Sequence, residues 1–234
     1  MDEDIEKPQG LALEWIEGDM PYSTTFGDHF YCRSDGRAEC GHVFLAGNGL
    51  PDRWQNGEPF RIGELGFGTG LNFCETFRQW RDAGSPCPLH FTSFELFPMD
   101  SATIDKALSR WPEIEAEHRA LVAAWPDRRE GLIRIDFDDR LRLDVVVGDA
   151  GANLGESDSL FDAWYLDGFA PSRNPAMWSA ELMQAVHDHT APGGTFATYA
   201  AAGFVRRNLQ AAGFAVERPP GFAGKREMLK GRRA

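Results

Sequence analysis

The feature that most constrains this chain is an alternation of strand and helix signals that starts at residue 60 and continues to the C-terminus. Phe60-Arg61-Ile62-Gly63-Glu64-Leu65 reads as a strand, a glycine loop follows, and apolar spacing predicts a helix from about Leu71 to Arg81. Leu89 to Glu95 is a second strand, and helical patterns cover roughly Met99 to Arg110 and Glu113 to Ala124. Leu132 to Phe137 and Leu141 to Val147 read as strands joined by Asp138-Asp139-Arg140. Phe161 to Leu166 is almost continuously apolar, as a strand buried on both faces must be. Trp178 to His189 reads as a helix, and Pro192-Gly193-Gly194 separates it from a strand over Thr195 to Tyr199. A helix from Phe204 to Ala212 stops at Gly213, and short strands are expected near Phe214 to Glu217 and Arg226 to Leu229. Alternation of this kind implies a mainly parallel sheet covered on both faces. Ligands of such sheets bind at the carboxyl ends of the strands, where the strand order reverses.

The segment before the alternation is rich in aromatic and turn-forming residues, with Val43-Phe44-Leu45 as a short strand. We therefore divide the chain into a lead-in or lid over residues 1–58 and a main domain over 59–234. No apolar run approaches the roughly 18 residues of a membrane helix. Met1-Asp2-Glu3-Asp4 is unlike a secretory signal, so a cytoplasmic protein without a membrane partner is expected. Cys32, Cys40, Cys74 and Cys87 form no Cys-x-x-Cys pair and have no zinc-type histidine spacing, which predicts reduced structural thiols and no metal site. The net charge of −12 opposes nucleic acid as a partner, but its distribution does not. From Arg206 to Ala234 eight basic residues stand against Glu217 and Glu227 alone, so an acidic body with a basic C-terminal face remains compatible with RNA.

The glycine loop reads Glu64-Leu65-Gly66-Phe67-Gly68-Thr69-Gly70-Leu71-Asn72. Glycines let the backbone approach a ligand closely, and the following helix aims its N–H groups at it. In a dinucleotide fingerprint the third glycine would fall at Leu71, and a phosphate-binding P-loop would need a lysine after Gly70. An acid followed by Gly-x-Gly-x-Gly resembles the first motif of class I methyltransferases. The resemblance implies a Rossmann-like α/β fold with a mainly parallel seven-stranded sheet, and S-adenosyl-L-methionine as cofactor. On that basis Glu64, Gly66, Phe67, Gly68, Gly70 and Asn72 are candidate cofactor-binding residues. Glu95 ends the second strand, where a carboxylate can accept from both ribose hydroxyls. Asp149 follows the third parallel strand, at the position that resembles the family's adenine-side acid.

Asp167-Gly168-Phe169-Ala170-Pro171 ends the next strand. An acid, an aromatic and a proline in this place resemble the fourth motif of amine-directed methyltransferases. Transfer to nitrogen needs a free lone pair held close and in line. Asp167 can accept the amine proton or orient the amine while water accepts it, and Phe169 can stack on a base. The blander reading makes Asp167 a helix cap and Phe169 a core residue.

Taken with Asn174-Pro175, Met177-Trp178, Thr198 to Arg207 and Lys225-Arg226-Glu227-Met228-Leu229, these segments resemble the MnmC-type tRNA methyltransferase family from about Tyr22 to Gly231. The resemblance implies methylation of the aminomethyl group of 5-aminomethyl-2-thiouridine at the tRNA wobble position. It makes Asp167 and Phe169 the active-site pair. Arg206, Arg207, Lys225 and Arg226 become the residues that meet phosphates of the anticodon loop. Many family members also carry a flavin-dependent oxidase. None follows Ala234, so the chain is either a stand-alone enzyme or one domain of a longer protein. Three other readings stay open: an aminopropyltransferase resembling spermidine synthase, a methyltransferase for another amine, and a non-catalytic cofactor- or RNA-binding module.

Overall fold

The structure is a computed structural model that describes residues 12–16 and 19–234. The acidic start Met1 to Asp4 lies outside the described residues. The chain opens with β1 (Leu13–Ile16), β2 (Met20–Ser23) and β3 (Asp28–His29), which form a small antiparallel sheet. Next comes α1 (Gly36–Cys40), capped by the Asp35 side chain accepting from the Ala38 amide at 3.0 Å. The helix continues through a wider turn over Gly41–Leu45.

The expected strand at Val43-Phe44-Leu45 is therefore helical. Its three apolar residues read as a buried strand, but Cys40, Val43 and Phe44 recur at helical spacing and all join the core. Phe44 stacks on Tyr165 with ring centroids 5.3 Å apart. Residues 36–54 thus pack on the main sheet, with Trp54 fully buried.

The main body runs β4 (Phe60–Leu65), α2 (Leu71–Asp82), β5 (Leu89–Glu95), α3 (Ser101–Leu108), α4 (Glu115–Ala124), β6 (Leu132–Asp136) and β7 (Leu141–Val147). It continues with α5 (Ala150–Gly155), β8 (Phe161–Leu166), α6 (Ala180–Asp188), β9 (Thr190–Thr198), α7 (Gly203–Ala212), β10 (Phe214–Glu217) and β11 (Leu229–Arg233). Eight strands form one sheet in the order β10-β11-β9-β8-β4-β5-β7-β6. The five from β9 to β7 are parallel, while β11, β10 and β6 run antiparallel to their neighbours. The expected α/β sheet is present with eight strands rather than seven. The additional edge strand is β6, which folds back on β7 through a turn in which Asp138 accepts from the Arg140 and Leu141 amides, each at 2.7 Å.

Side-chain alternation builds a core on each face. In β8, Ala163 and Tyr165 belong to a cluster with residues of α1, α2 and α4, while Trp164 and Leu166 belong to another with residues of α5, α6 and α7. Burial of the large side chains among these, Trp164, Tyr165 and Leu166, contributes roughly 1.5–3 kcal/mol each. Two boundaries differ from expectation. β9 begins at Thr190 through a register irregularity against β8, so Pro192-Gly193-Gly194 lies inside a strand. β11 begins where the expected strand ends, because Leu229 pairs with Thr198 and pairing continues through Arg232 opposite Thr195. The sequence had not marked β1, β2, β3 or α5. Among the described residues no helix is long and apolar enough to cross a membrane, and the four cysteines are unpaired.

Candidate active site

The strand order reverses at β4, which lies between β5 and β8. The loops leaving the carboxyl ends of β4, β5, β7 and β8 enclose a cavity of about 370 Å³. The glycine loop forms one wall. Gly66 has φ +87°, and a Cβ there would sit 3.2 Å from the Asp167 carbonyl. Gly70 has φ +79° and begins α2; a Cβ there would sit 2.8 Å from Leu121 and 3.0 Å from the Phe67 ring. The first glycine thus allows close approach of β4 and β8, and the second lets α2 start against the core. Phe67 anchors the loop by stacking flat on Trp125 at 5.1 Å.

Glu95 lines the cavity at the end of β5. Its carboxylate accepts from the Gly68 amide at 3.0 Å and the Phe97 amide at 2.8 Å, so the second strand end is tied to the glycine loop. Asp149 lines the same cavity and caps α5, accepting from the Ala152 amide at 2.9 Å. Glu64 and Gly70 do not line it. Glu64 is fully buried behind Asn72, whose amide donates to Glu64 Oε1 at 2.9 Å and to Asp167 Oδ2 at 2.8 Å. Desolvation pushes the Glu64 carboxyl up to about 8, so it is neutral at pH 7 and acts on the cavity through Asn72.

Asp167 stands at the end of β8, half-buried, with Oδ1 accepting from the Gly168 amide at 2.9 Å. Burial raises its carboxyl to about 7 against the pull of these hydrogen bonds. It caps no helix. Phe169 faces the cavity but does not stand alone. Phe26 stacks on it at 4.6 Å and Phe30 meets its edge at 5.1 Å. Asp28, between those two rings, accepts from the Ala170 amide at 2.8 Å. A base entering this corner meets a wall of three rings.

The four basic candidates separate. Arg207 and Arg226 are exposed, and Arg206 is half-buried with its Nε unpartnered. Lys225 instead enters the cavity, its Nζ 2.6 Å from Glu39 Oε1, so its charge is already matched. Glu39, Phe26, Asp28, Phe30 and Tyr199 were not singled out from the sequence. The first four lie in the N-terminal segment, outside any motif. Tyr199 did leave a signal: it follows the last residue of a core strand, on the same sheet edge as Asp167.

Such a site, with a glycine loop at the reversal point and successive acidic strand ends on one cavity, defines an α/β domain that binds a nucleoside-bearing cofactor. S-adenosyl-L-methionine fits the residues present. The α2 N-terminus, where Leu71 and Asn72 line the cavity, suits an α-carboxylate. Glu95 keeps lone pairs for ribose hydroxyls, and exposed Leu96 offers an apolar surface beside it.

Comparison with known proteins agrees. A family model described as S-adenosyl-L-methionine-dependent methyltransferase matches residues 112–234, more than half of the chain, and the chain belongs to that family. The protein from Chromohalobacter salexigens named tRNA 5-methylaminomethyl-2-thiouridine biosynthesis bifunctional protein MnmC is 44% identical over 226 residues, covering 94% of this chain and 32% of the relative. The protein of the same name from Methylobacillus flagellatus is 46% identical over 229 residues, with coverages of 94% and 35%. The chain spans about a third of the length of these curated relatives. The crystal structure of MNMC2 from Aquifex aeolicus superposes with a TM-score of 0.78 at 21% identity, over 96% of this chain and 72% of that one.

Proposed function

We propose that this chain transfers a methyl group from S-adenosyl-L-methionine to the primary amine of 5-aminomethyl-(2-thio)uridine at the tRNA wobble position, giving 5-methylaminomethyl-(2-thio)uridine. The observation that carries this reading is the position of Asp167. An acid of raised pKa, oriented by Asn72 and the Gly168 amide, opens on the same cavity as the glycine loop. The names of the bifunctional relatives supply the substrate class.

The cofactor supplies an electrophilic methyl on a sulfonium, and the residues must deliver a neutral amine to it. An aminomethyl group arrives mostly as an ammonium. Near neutral pH Asp167 is poised between its two protonation states, the condition under which a general base is both available and effective. Its ionised form would bind the ammonium and take one proton, leaving the amine lone pair free for the methyl that the sulfonium would supply as its S–C bonding pair returned to sulfur. On this reading Phe169, flanked by Phe26 and Phe30, borders the uracil plane. Glu95 and Asp149 hold the ribose and adenine sides of the cofactor. Arg206, Arg207 and Arg226 approach the anticodon-loop phosphates. We place the reaction in the cytoplasm with tRNA. The amine comes from a preceding oxidative step, and the bifunctional relatives extend well beyond the matched third.

The test is methyl transfer from labelled S-adenosyl-L-methionine to tRNA from cells lacking this activity, with nucleosides resolved by mass spectrometry. The expected product is 5-aminomethyl-uridine carrying one more methyl. Tight cofactor binding with no methylated nucleoside would discard the tRNA assignment and leave another amine as the acceptor.

A further inference from the structure

The loop between β10 and β11 sends Lys225 back across the cavity. Its Nζ lies 2.6 Å from Glu39 Oε1 and 5.1 Å over the ring of Tyr199. Glu39 is 8% exposed, and the Tyr199 hydroxyl donates to the Gly168 carbonyl, which fixes the ring beside Asp167. One buried carboxylate and one aromatic face are a means of holding an alkylammonium. A lysine head group is a primary alkylammonium, like the aminomethyl group of the proposed substrate.

We infer that Glu39 and the Tyr199 ring form an ammonium subsite for the substrate amine, and that Lys225 fills it as an internal stand-in which the substrate displaces. This rests on the amine-methylation reading. Removing Lys225 with no replacement would strand the buried Glu39 carboxylate, whereas exchanging one ammonium for another keeps it paired. Lys225 can leave without unfolding its loop, because its side chain is 44% exposed and the loop has other anchors. Met228 donates to the Pro219 carbonyl at 3.0 Å, and His42 meets the Pro220 carbonyl at 3.1 Å. The subsite favours a cationic aminomethyl group over an unmodified uridine. It delivers the ammonium beside Asp167, which then takes its proton.

The experiment is steady-state methylation of tRNA carrying 5-aminomethyl-uridine by Lys225→Met and Glu39→Gln. Losing the internal competitor should lower the KM of K225M roughly three- to tenfold. Losing the carboxylate should raise the KM of E39Q by about tenfold or more, with kcat falling less. A rise in KM for K225M would make Lys225 a substrate contact, and parallel losses in both variants would make the pair a structural latch. Either result overturns the inference. A second measurement is independent of folding in E39Q: the lysine ammonium resonance of Lys225 in the wild-type protein, titrated with ethylammonium chloride. The resonance should shift as the pair is broken, and an unmoved resonance at saturation overturns the subsite. If wild-type protein methylates no tRNA, the substrate reading fails by itself and the ammonium titration alone decides.

Discussion

At Asp167 two influences oppose each other: burial raises the carboxyl to about 7, and hydrogen bonds from Asn72 and the Gly168 amide pull it down. Below that value the acid is protonated and cannot receive the amine proton. We therefore expect kcat/KM to rise with pH through about 7. The substrate amine also loses its proton as pH rises, so the profile alone does not assign the limb. Asp167→Asn should lower kcat/KM by about 10²–10⁴ and remove the limb near 7; a limb that persists would belong to the substrate. Glu64 acts on stability. Its carboxyl titrates near 4.5 in an unfolded chain and is pushed up to about 8 by burial in the folded one. Below pH 4.5 folded and unfolded chains both hold the proton, and the group carries no penalty. Between 4.5 and 8 only the native state holds it, so stability falls as pH rises. Glu64→Gln should raise thermal stability at pH 8 by about 1–2 kcal/mol, or about 2–8 °C, and by little at pH 4.5. An equal change at both pH values would refute protonation as the cause. The strand-end acids were legible in the sequence because each follows a strand in an alternating pattern. Glu39 is not, because only tertiary folding brings it to this cavity, and Tyr199 shows in the sequence only as the residue after a core strand.

Among the elements, the segment between α1 and β4 shows how far the sequence pattern carried. The strands and helices after residue 60 follow from periodicity, but this segment has no repeat to read and by sequence alone reads as a lead-in. In the fold it is stapled to the sheet by Asn48, which is 1% exposed. The Asn48 amide donates to the Phe44 carbonyl at 2.8 Å and the Trp164 carbonyl at 3.1 Å, while its Oδ1 accepts from the Thr195 hydroxyl at 2.6 Å. Arg53 reinforces the staple by donating to the Asp162 carbonyl at 2.9 Å. Asn48 thus joins the helical turn after α1 to β8 and β9, and Phe44, one turn earlier, lines the cavity. Asn48→Ala removes a donor from two carbonyls and the acceptor of the Thr195 hydroxyl, which keeps only its bond from Arg53. It should cost about 2–3 kcal/mol, lowering Tm by roughly 4–12 °C. A thermal melt checks this, and a shift under 2 °C would mean that water replaces the staple.

For the whole molecule, the proposed tRNA substrate sets a body of net charge −12 against a polyanion. The C-terminal bases are fewer in effect than in sequence. Lys225 pairs with Glu39, Arg218 with Glu227 and Lys230 with Glu217, while Arg233 donates to the His187, Asp188 and Thr190 carbonyls. Among the described residues Arg206, Arg207, Arg226 and Arg232 take part in no ion pair. Topology separates these. Arg206 and Arg207 lie in the first turns of α7, just past the carboxyl end of β9, and Arg226 precedes β11, which starts opposite that end. Arg232 pairs three residues back along β9, away from the site. Under the proposed function about three guanidiniums beside the carboxyl end of β9 are left to meet RNA, against a repulsive field from the rest of the surface. Salt acts on these in opposite directions: it weakens phosphate contacts by counterion release and screens the long-range repulsion. With roughly 0.7 counterions released per single-strand phosphate contact, the contact part of the slope of log affinity against log salt is about −2. We expect tRNA affinity, followed by anisotropy with S-adenosylhomocysteine present, to fall between 50 and 200 mM salt with a slope no steeper than about −2. In the double variant Arg207→Glu, Arg226→Glu the slope should flatten or turn positive, because screening of the acidic body is then the larger effect. A positive slope in the wild-type protein would place the RNA interface away from the C-terminal bases.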